Sequence, residues 1–188
     1  MLKRDSSIKE KYNIGKFPYE DKIRLIFSEN QNLIIQQIAA WPNELDEMEI
    51  FISKELGTKK KINFNKGEIL LDKSVWRMEP LKWWLLGKTI NIPESLGTSL
   101  VLSHAFTSIK LSGEKVRLLL NRHLPLDLRD DIFSINSSAS SAIHHVSVKL
   151  FRINKDEYNL LIPRGFALSI WEILIESATQ FGFEIKDS

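Results

Sequence analysis

The chain has 188 residues and a formal net charge of +2, from 26 lysine and arginine residues against 24 aspartate and glutamate residues. Hydrophobic residues make up 43% and charged residues 27%, which is typical of a folded domain and excludes a disordered or fibrous class. The basic residues are interspersed apart from Lys59-Lys60-Lys61. We interpret this run as a solvated loop and expect no nucleic-acid binding.

The chain contains no cysteine, which excludes disulfides, thiolate nucleophiles and cysteine-ligated metals. This composition fits a reducing, cytoplasmic location. No stretch approaches the roughly 18–20 apolar residues of a membrane-spanning helix, so we expect no membrane association. Residues 1–20 are polar and lack the apolar region of a signal peptide. We interpret them as a partly ordered N-terminal arm that precedes a single domain, residues 21–188, built from two halves.

The first half, about residues 21–95, is predicted to contain strands and one helix. Residues 23–27 and 33–41 are apolar, β-branched runs separated by a polar turn, a pattern that indicates a hairpin. Apolar residues at helical spacing predict a helix over 45–56, with Asn43 as its N-cap. Short strands are expected after this helix, at 62–64, 68–71, 75–78 and 83–86.

The second half, about residues 96–188, begins with a long predicted strand at 100–111. Ser112 is the predicted cap of the following helix, which Pro125 stops. A polar loop at 130–141 leads into the elements that close the fold. These are a hairpin of 142–152 and 158–162, a deeply buried helix over 166–181 and a last strand at 183–185.

A weak internal repeat connects the two halves. VWRMEPLKWWLL at 75–86 aligns without gaps on LFRINKDEYNLL at 150–161, pairing Arg77 with Arg152. Because each copy follows a strand and a helix, the repeat predicts two similar β-α-β-β units, the second with a further helix. The predicted class is therefore α+β with mostly antiparallel sheet.

Motifs that bind cofactors are missing from the sequence. Only eight glycines occur, and none belongs to a G-x-G-x-x-G or G-x-x-x-x-G-K-[ST] loop. There is also no H-E-x-x-H, G-x-S-x-G or EF-hand pattern. We therefore expect no dinucleotide, no metal site and no self-contained active site in this chain.

Two of the four histidines are adjacent, as His144 and His145 in SAIHHVSVKL. Successive side chains of a strand point to opposite faces, so we expect His144 on the apolar face and His145 on the polar face. The pair then forms no joint catalytic or metal site, and His145 becomes a candidate polar contact at a subunit interface. His104 and His123 are interpreted as structural residues.

Adjacent Trp83 and Trp84 on a predicted strand cannot both face one core. We expect one of them to face outward, where it either contacts a partner or is covered by a loop of the same chain. In LDLRDD, Asp127 and Asp130 flank Arg129. An acid–base cluster is one reading of this segment, but mixed charge after a helix favours a solvated ion-pair network.

Several short motifs of the second half occur together in a known family. They are Leu111-Ser112-Gly113, the helix to Leu120, Pro125-Leu126-Asp127-Leu128, Pro163-Arg164, Phe166-Ala167, Trp171 and Phe181-Gly182. Over residues 99–185 the chain resembles the gamma subunit family of heterotetrameric sarcosine oxidase. Residues 22–88 resemble that family more loosely, through the helix ending in Leu56-Gly57 and the segment EPLKWWLL.

The resemblance implies a fold related to the folate-binding domain of the glycine-cleavage aminomethyltransferase. It also implies a complex whose alpha, beta and delta subunits hold FAD, covalent FMN, NAD and tetrahydrofolate. Such a complex demethylates sarcosine oxidatively to glycine with release of hydrogen peroxide, and passes the one-carbon unit to tetrahydrofolate. This chain would be an accessory, non-catalytic subunit without a cofactor of its own, acting in sarcosine catabolism and one-carbon metabolism. No catalytic residue is carried over, because the family assigns none to this subunit.

The alternative is a free-standing folate-binding protein with an aminomethyltransferase-like fold. In that case Asp127 would contact the pterin, and Arg164 would contact the glutamate tail. The two functions differ in what the chain binds, a set of protein subunits or a small molecule.

Overall fold

The computed structural model describes residues 5–17, 23–58 and 61–187. In this part of the chain the α-helices are α1 (Leu45–Leu56), α2 (Val116–His123) and α3 (Ala167–Ala178). The strands are β1 (Gly15–Phe17), β2 (Leu25–Glu29), β3 (Ile35–Ala40), β4 (Lys66–Ile69), β5 (Ser74–Glu79), β6 (Lys82–Leu86), β7 (Gly97–Val101), β8 (Phe106–Ser112), β9 (Ser138–Ile143), β10 (Val146–Asn154), β11 (Glu157–Pro163) and β12 (Phe183–Ile185). They form a seven-stranded sheet of order β1-β12-β2-β8-β11-β10-β9 and a five-stranded sheet of order β4-β5-β6-β3-β7.

The chain divides into two compact units. Unit 2 takes residues 32–103 and 136–138 and holds the five-stranded sheet. Of the described residues, unit 1 takes those up to 31, residues 104–135 and those from 139 onward, and it holds the seven-stranded sheet. The boundaries differ from the predicted halves, because β2 pairs with β8 and so joins unit 1. Two of the three lysines in the predicted solvated loop, Lys59 and Lys60, lie outside the described residues.

Each unit has its own apolar core between sheet and helix. In unit 2, α1 buries Met48 and Ile52 against sheet residues that include Trp83. In unit 1, the buried face of α3 includes Trp171, whose ring meets the edge of the Phe27 ring at 5.6 Å between centroids. The predicted deep burial of the last helix is therefore confirmed.

Both predicted helix caps are wrong. Asn43 lies inside a 3-10 turn at Pro42–Glu44, and the residue before α1 is Glu44, which makes no side-chain capping bond. Ser112 is the last residue of β8, and α2 begins four residues later after Lys115, again without a side-chain cap. The predicted end of α1 at residue 56 is confirmed. The following residue, Gly57, has a φ of 73°, a left-handed conformation that glycine adopts at low cost.

Two predicted connections are also wrong, and for the same reason. The expected hairpin over 23–41 is two strands in different sheets, β2 and β3, and the expected single strand at 100–111 is likewise divided between β7 and β8. Apolar runs reveal that a segment is extended, but they do not reveal which strand it pairs with. The chain changes sheets at both places.

The two sheets repeat one arrangement. The strand order β4-β5-β6-β3-β7 in unit 2 corresponds to β9-β10-β11-β8-β2 in unit 1, with α1 before β4 and α2 before β9. The predicted α+β class with two similar β-α-β-β halves, the second with a further helix, is confirmed. Unit 1 adds two strands beyond this common set, β12 and β1, next to β2.

The arginines paired by the sequence repeat occupy equivalent places in the two units. Arg77 opposes Trp83 across β5 and β6, and Arg152 opposes Tyr158 across β10 and β11. Each hairpin has a register shift directly after the arginine. Each guanidinium carbon lies over the opposed ring, at 5.2 Å from the Trp83 centroid and 5.7 Å from the Tyr158 centroid, within cation–π range.

The two guanidinium groups also have equivalent polar partners. Arg77 and Arg152 each donate to the carbonyl oxygen three residues further along their hairpin, at 2.6 Å and 2.8 Å. Arg77 Nη1 lies 2.6 Å from the Glu49 carboxylate of α1, and Arg152 donates to Asp130. The hydrogen bond from Arg152 lowers the pKa of the Asp130 carboxyl. Each unit thus holds one arginine that joins a hairpin to a carboxylate from outside it.

The Glu49–Arg77 pair allows a test of this role. The Glu49 side chain is 6% exposed, so replacing Arg77 by methionine leaves a buried carboxylate with Lys61 as its remaining cation, 3.0 Å away. We expect R77M to lower the free energy of unfolding by about 3 kcal/mol, and E49M/R77M to recover most of that loss because the unpaired buried charge is gone. Urea unfolding measures both, and a double variant as unstable as R77M contradicts the expectation.

Candidate functional site

β7 is an edge strand of the five-stranded sheet, and none of the described strands pairs with its outer side. Its sequence GTSLV contains no charge and no proline, and Leu100 and Val101 are 58% and 59% exposed. Sheet edges in natural proteins are normally protected by charged residues, proline, a bulge or a covering segment. An uncharged edge with exposed apolar side chains is therefore a surface that can take an additional strand.

The pairing of β7 with β3 identifies the backbone groups that point outward. Leu102 N–H donates to Ile35 O at 2.8 Å, and Leu96 O accepts from the residue after β3 at 2.9 Å. In an antiparallel ladder the bonding direction alternates along the strand, so Ser99 and Val101 direct their N–H and C=O groups away from β3. Within residues 5–17, 23–58 and 61–187, these four groups have no hydrogen-bond partner.

In unit 1 the strand at the corresponding position is β2, and its outer side is covered. β12 pairs with β2 in parallel, and Lys186 N–H donates to Phe27 O at 2.9 Å. The Tyr12 hydroxyl accepts from Glu29 N–H at 2.8 Å and donates to Lys186 O at 2.6 Å. The outward groups of β2 are therefore satisfied by segments from before and after it in the chain.

Strand register makes Ser99 the counterpart of Phe27. In unit 2, Ser99 of β7 opposes Ile38 of β3, and Ile38 opposes Trp83 of β6. In unit 1, Phe27 of β2 opposes a β8 residue, and that residue opposes Tyr158 of β11. The carbonyl that accepts from the covering segment in unit 1 thus corresponds to an outward carbonyl on β7. The fold itself contains an example of the strand pairing that β7 leaves open.

Trp41 is an exposed tryptophan beside this edge. It follows β3 directly, is 46% exposed, and donates its indole N–H to Glu94 O at 2.8 Å. This hydrogen bond fixes the ring and leaves its apolar surface available, which is the usual character of an interface anchor. We call β7 together with Trp41 the open edge.

Trp83 and Trp84 lie on opposite faces of β6, as expected, and of the two predicted alternatives for the outward one, a partner contact or cover by the same chain, the structure shows the second. The two side chains are 1% and 3% exposed. Trp83 packs in the core of unit 2, and Trp84, on the other face of β6, is also covered by the chain. A strand covered on both faces buries consecutive residues, so neither is a contact at an interface, and Trp41 takes that place.

His144 and His145 form a two-residue turn between β9 and β10 rather than part of a strand, and both are exposed. The expectation that His144 lies on the apolar face is therefore wrong, because alternation of residue types continues across this turn. His144 has a φ of 53°, a conformation usually taken by glycine. His145 as a polar contact at an interface stays a prediction.

The solvated ion pairs predicted around Arg129 are confirmed. Its guanidinium donates to both carboxylate oxygens of Asp127, with Nε at 3.0 Å and 2.9 Å, and these bonds lower the pKa of Asp127. Arg164 donates to Asp5 O at 2.6 Å. Cavities of about 460, 450 and 430 Å³ lie at the end of α2, at the end of α1 and beside Arg152, and neither residue lines them. As folate contacts, Asp127 and Arg164 stay predictions.

The chain is similar to known proteins in its fold. No family model matches the sequence, and no curated protein matches it. Among solved structures, it is similar to heterotetrameric sarcosine oxidase from Corynebacterium sp. U-96 in complex with pyrrole 2-carboxylate. The TM-score is 0.67 and the identity 18%, over 85% of this chain and 88% of that chain.

A second similar structure is the glycine cleavage system aminomethyltransferase T from Bartonella henselae. The TM-score is 0.62 and the identity 9%, over 95% of this chain and 56% of that chain. The chain thus spans just over half the length of the aminomethyltransferase, whereas it is similar in length to the matched sarcosine oxidase chain. These likenesses confirm the resemblance inferred from the sequence at the level of the fold. No helix of the described residues is long and apolar enough to cross a membrane.

Proline substitution tests which backbone groups of β7 face outward. Val101→Pro removes an outward N–H, which edge strands tolerate, whereas Leu100→Pro removes an N–H directed at β3. We expect V101P to cost less than about 1 kcal/mol of unfolding free energy, and L100P about 3 kcal/mol or more. Chemical denaturation measures both, and equal losses would show that the assignment of outward groups is wrong.

Proposed function

We propose that this chain is an accessory, non-catalytic subunit of the gamma type in a heterotetrameric sarcosine oxidase complex. The observation that carries the proposal is the match of most of this chain to most of a chain of similar length in such an oxidase. The open edge supports it, because a subunit without a partner has no use for an uncharged, unpaired sheet edge next to an exposed tryptophan.

In this proposal the other subunits perform the chemistry. The alpha, beta and delta chains hold FAD, FMN, NAD and tetrahydrofolate, and they convert sarcosine to glycine with hydrogen peroxide as the second product. The gamma chain contributes binding surface. Its sequence lacks the glycine-rich loops that hold dinucleotide phosphates, which agrees with this division of roles.

The partner is proposed to add a strand to β7, parallel to it, as β12 is added to β2. Main-chain hydrogen bonds to Ser99 and Val101 would fix the register of that strand. Five residues of edge span only about 17 Å. The area that one strand of this length buries is smaller than the about 800 Å² per partner of a standard interface. The added strand would therefore be one part of a larger contact, with Trp41 as an anchor beside it.

Lysine substitutions on opposite edges of the same sheet test the proposal. Val101→Lys places a charge on the open edge, and Ile69→Lys places the same charge on β4, where Ile69 is also exposed. We expect the tagged chain and I69K to retain co-expressed alpha, beta and delta subunits of the same organism, and V101K to retain at least about tenfold less, since an edge charge opposes strand addition.

Co-purification with quantitative mass spectrometry gives the readout for these variants. If the unsubstituted chain retains none of the three subunits, the proposed function is wrong. If V101K retains them as well as I69K does, the complex stands but the open edge is not its docking site. Circular dichroism confirms that both variants are folded.

The second candidate is a free-standing folate-binding protein, favoured by the likeness of 95% of this chain to the aminomethyltransferase. It predicts saturable binding of tetrahydrofolate that D127N and R164Q each weaken about tenfold or more, because a charge-assisted hydrogen bond is lost. Isothermal titration calorimetry measures this. Absence of heat with the unsubstituted chain removes the candidate.

A further inference from the structure

A cavity of about 460 Å³ lies at the end of α2 in unit 1. The polar side chains that line it are Asn121, Arg122, His123 and His144, and its apolar wall includes Leu124 and Pro125. No carboxylate is part of this lining. The cavity belongs to neither the open edge nor the folate contacts, so it needs a separate explanation.

Arg122 and His144 both act electrostatically on His123 in the direction that disfavours its protonated form. Its Nε2 is hydrogen-bonded to the Ser177 hydroxyl of α3 at 2.9 Å, which fixes the ring but supplies no charge. Burial lowers the pKa of His123, and His144 from the β9–β10 turn and Arg122 from its own helix lower it further. The pKa of this imidazole therefore lies below its ordinary value, and a bound anion would act on it in the opposite direction.

Arg122 is the permanent cation of this cavity. Its guanidinium carbon lies 4.8 Å from the centroid of the Phe181 ring, which positions the group by a cation–π contact. Among the described residues no carboxylate forms a salt bridge with it. A positioned guanidinium without an acidic partner is well suited to bind an oxyanion.

His144 is held at this cavity in an unfavourable backbone conformation. Of the two residues in the β9–β10 turn, only His144 has a positive φ, 53°, and the first position of such a turn is usually glycine. Strained backbone of this kind clusters at functional sites. The chain thus keeps an imidazole beside the cavity where glycine would be less strained.

The position of Arg122 and His123 at a helix C-terminus has an ordinary explanation. The α2 dipole places about −0.5 of a charge there, which favours cationic side chains. This explanation does not extend to His144, which comes from a different element. The full charge of Arg122 also exceeds the dipole charge, so the cavity stays favourable for an anion.

We propose that this cavity binds a small oxyanion, a phosphate ester or a carboxylate, carried by an organic molecule. Arg122 holds the anion as the permanent cation, Asn121 can donate a hydrogen bond, and Leu124 and Pro125 contact the apolar part of the ligand. His123 takes up a proton when the anion binds, because the anion raises the pKa of its imidazole, and His144 can donate a hydrogen bond to the anion from its ring. The inference does not depend on the proposed function.

Proton uptake makes the affinity depend on pH in a defined direction. The pKa of the His123 imidazole is higher in the bound state than in the free state, so the affinity for the anion rises as the pH falls from 8 to 6. Each pKa unit gained is worth up to about tenfold in affinity. Sulfate keeps its double charge across this range, so any pH effect measured with it comes from the protein.

The test is a sulfate titration of the full chain at constant ionic strength, followed by the NMR signals of the four imidazoles. We expect saturable shifts at His123 and His144, small shifts at His104 and His145, and at least about fivefold tighter binding at pH 6 than at pH 8. Equal shifts at all four histidines, or no saturation, overturn the proposal.

Variants assign the site. R122Q is expected to weaken sulfate binding about tenfold or more and to leave its pH dependence in place, because His123 remains. H144A is expected to weaken binding, because a hydrogen-bond donor to the anion is lost. The matched control is H145A, which removes the neighbouring imidazole of the same turn. If H145A weakens binding as much as H144A does, the cavity is not the site.

Replacing His144 by glycine separates the ligand role from the structural role. Glycine relieves the positive φ, so we expect H144G to raise the melting temperature by about 2–4 °C while losing the same affinity as H144A. Retention of sulfate affinity in H144G overturns the proposal. Inorganic phosphate and acetate, titrated in parallel, distinguish the two ligand classes, and tighter binding of one identifies the oxyanion that the cavity prefers.

Discussion

Each unit depends on the interactions of one arginine that closes a bulged hairpin. Arg77 and Arg152 each hold an opposed aromatic ring, a carbonyl of their own hairpin and a carboxylate from another part of the unit. A guanidinium has five donors in a rigid plane, so it can satisfy all these partners at once. The register of each hairpin is set at this arginine. In unit 2 the hairpin therefore positions β3, and β3 positions β7; in unit 1 the hairpin positions β8, and β8 positions β2.

The sequence predicts what repeats locally and misses what is decided between distant segments. Pairing Arg77 with Arg152 correctly marked equivalent positions, because the same hairpin chemistry recurs at the same spacing. The helix ending at Gly57 was also predictable from periodicity. The change of sheet between β2 and β3 was not, because pairing partners lie far away in the chain. For the same reason the sequence left open whether the outward-facing tryptophan of Trp83 and Trp84 is covered, since burial on both faces of β6 depends on segments that local alternation does not contain.

The candidate site illustrates the same limit. No single residue of the β7 sequence GTSLV marks this strand as functional. The position of Trp41, directly after a strand, is also ordinary for a tryptophan. The open edge becomes visible only when the two sheets are compared and β2 is found covered where β7 is not. Similarly, His144 was conspicuous in the sequence because of its neighbour His145, whereas the structure separates them by backbone conformation and associates His144 with Arg122 and His123.

The covering of β2 by β12 has a consequence for how the protein is made. All segments of unit 2 lie before residue 139, so its sheet and α1 can form while the later strands and α3 are still being synthesised. Unit 1 begins earlier in the chain, but β2 stays without a parallel neighbour until Phe183–Ile185 has emerged. During translation at about 5–20 residues per second, the ribosome-bound chain therefore carries two open strand edges for several seconds. A chaperone or a partner strand that arrives early would meet both the β2 edge and the β7 edge. The two edges differ only after β12 has paired with β2.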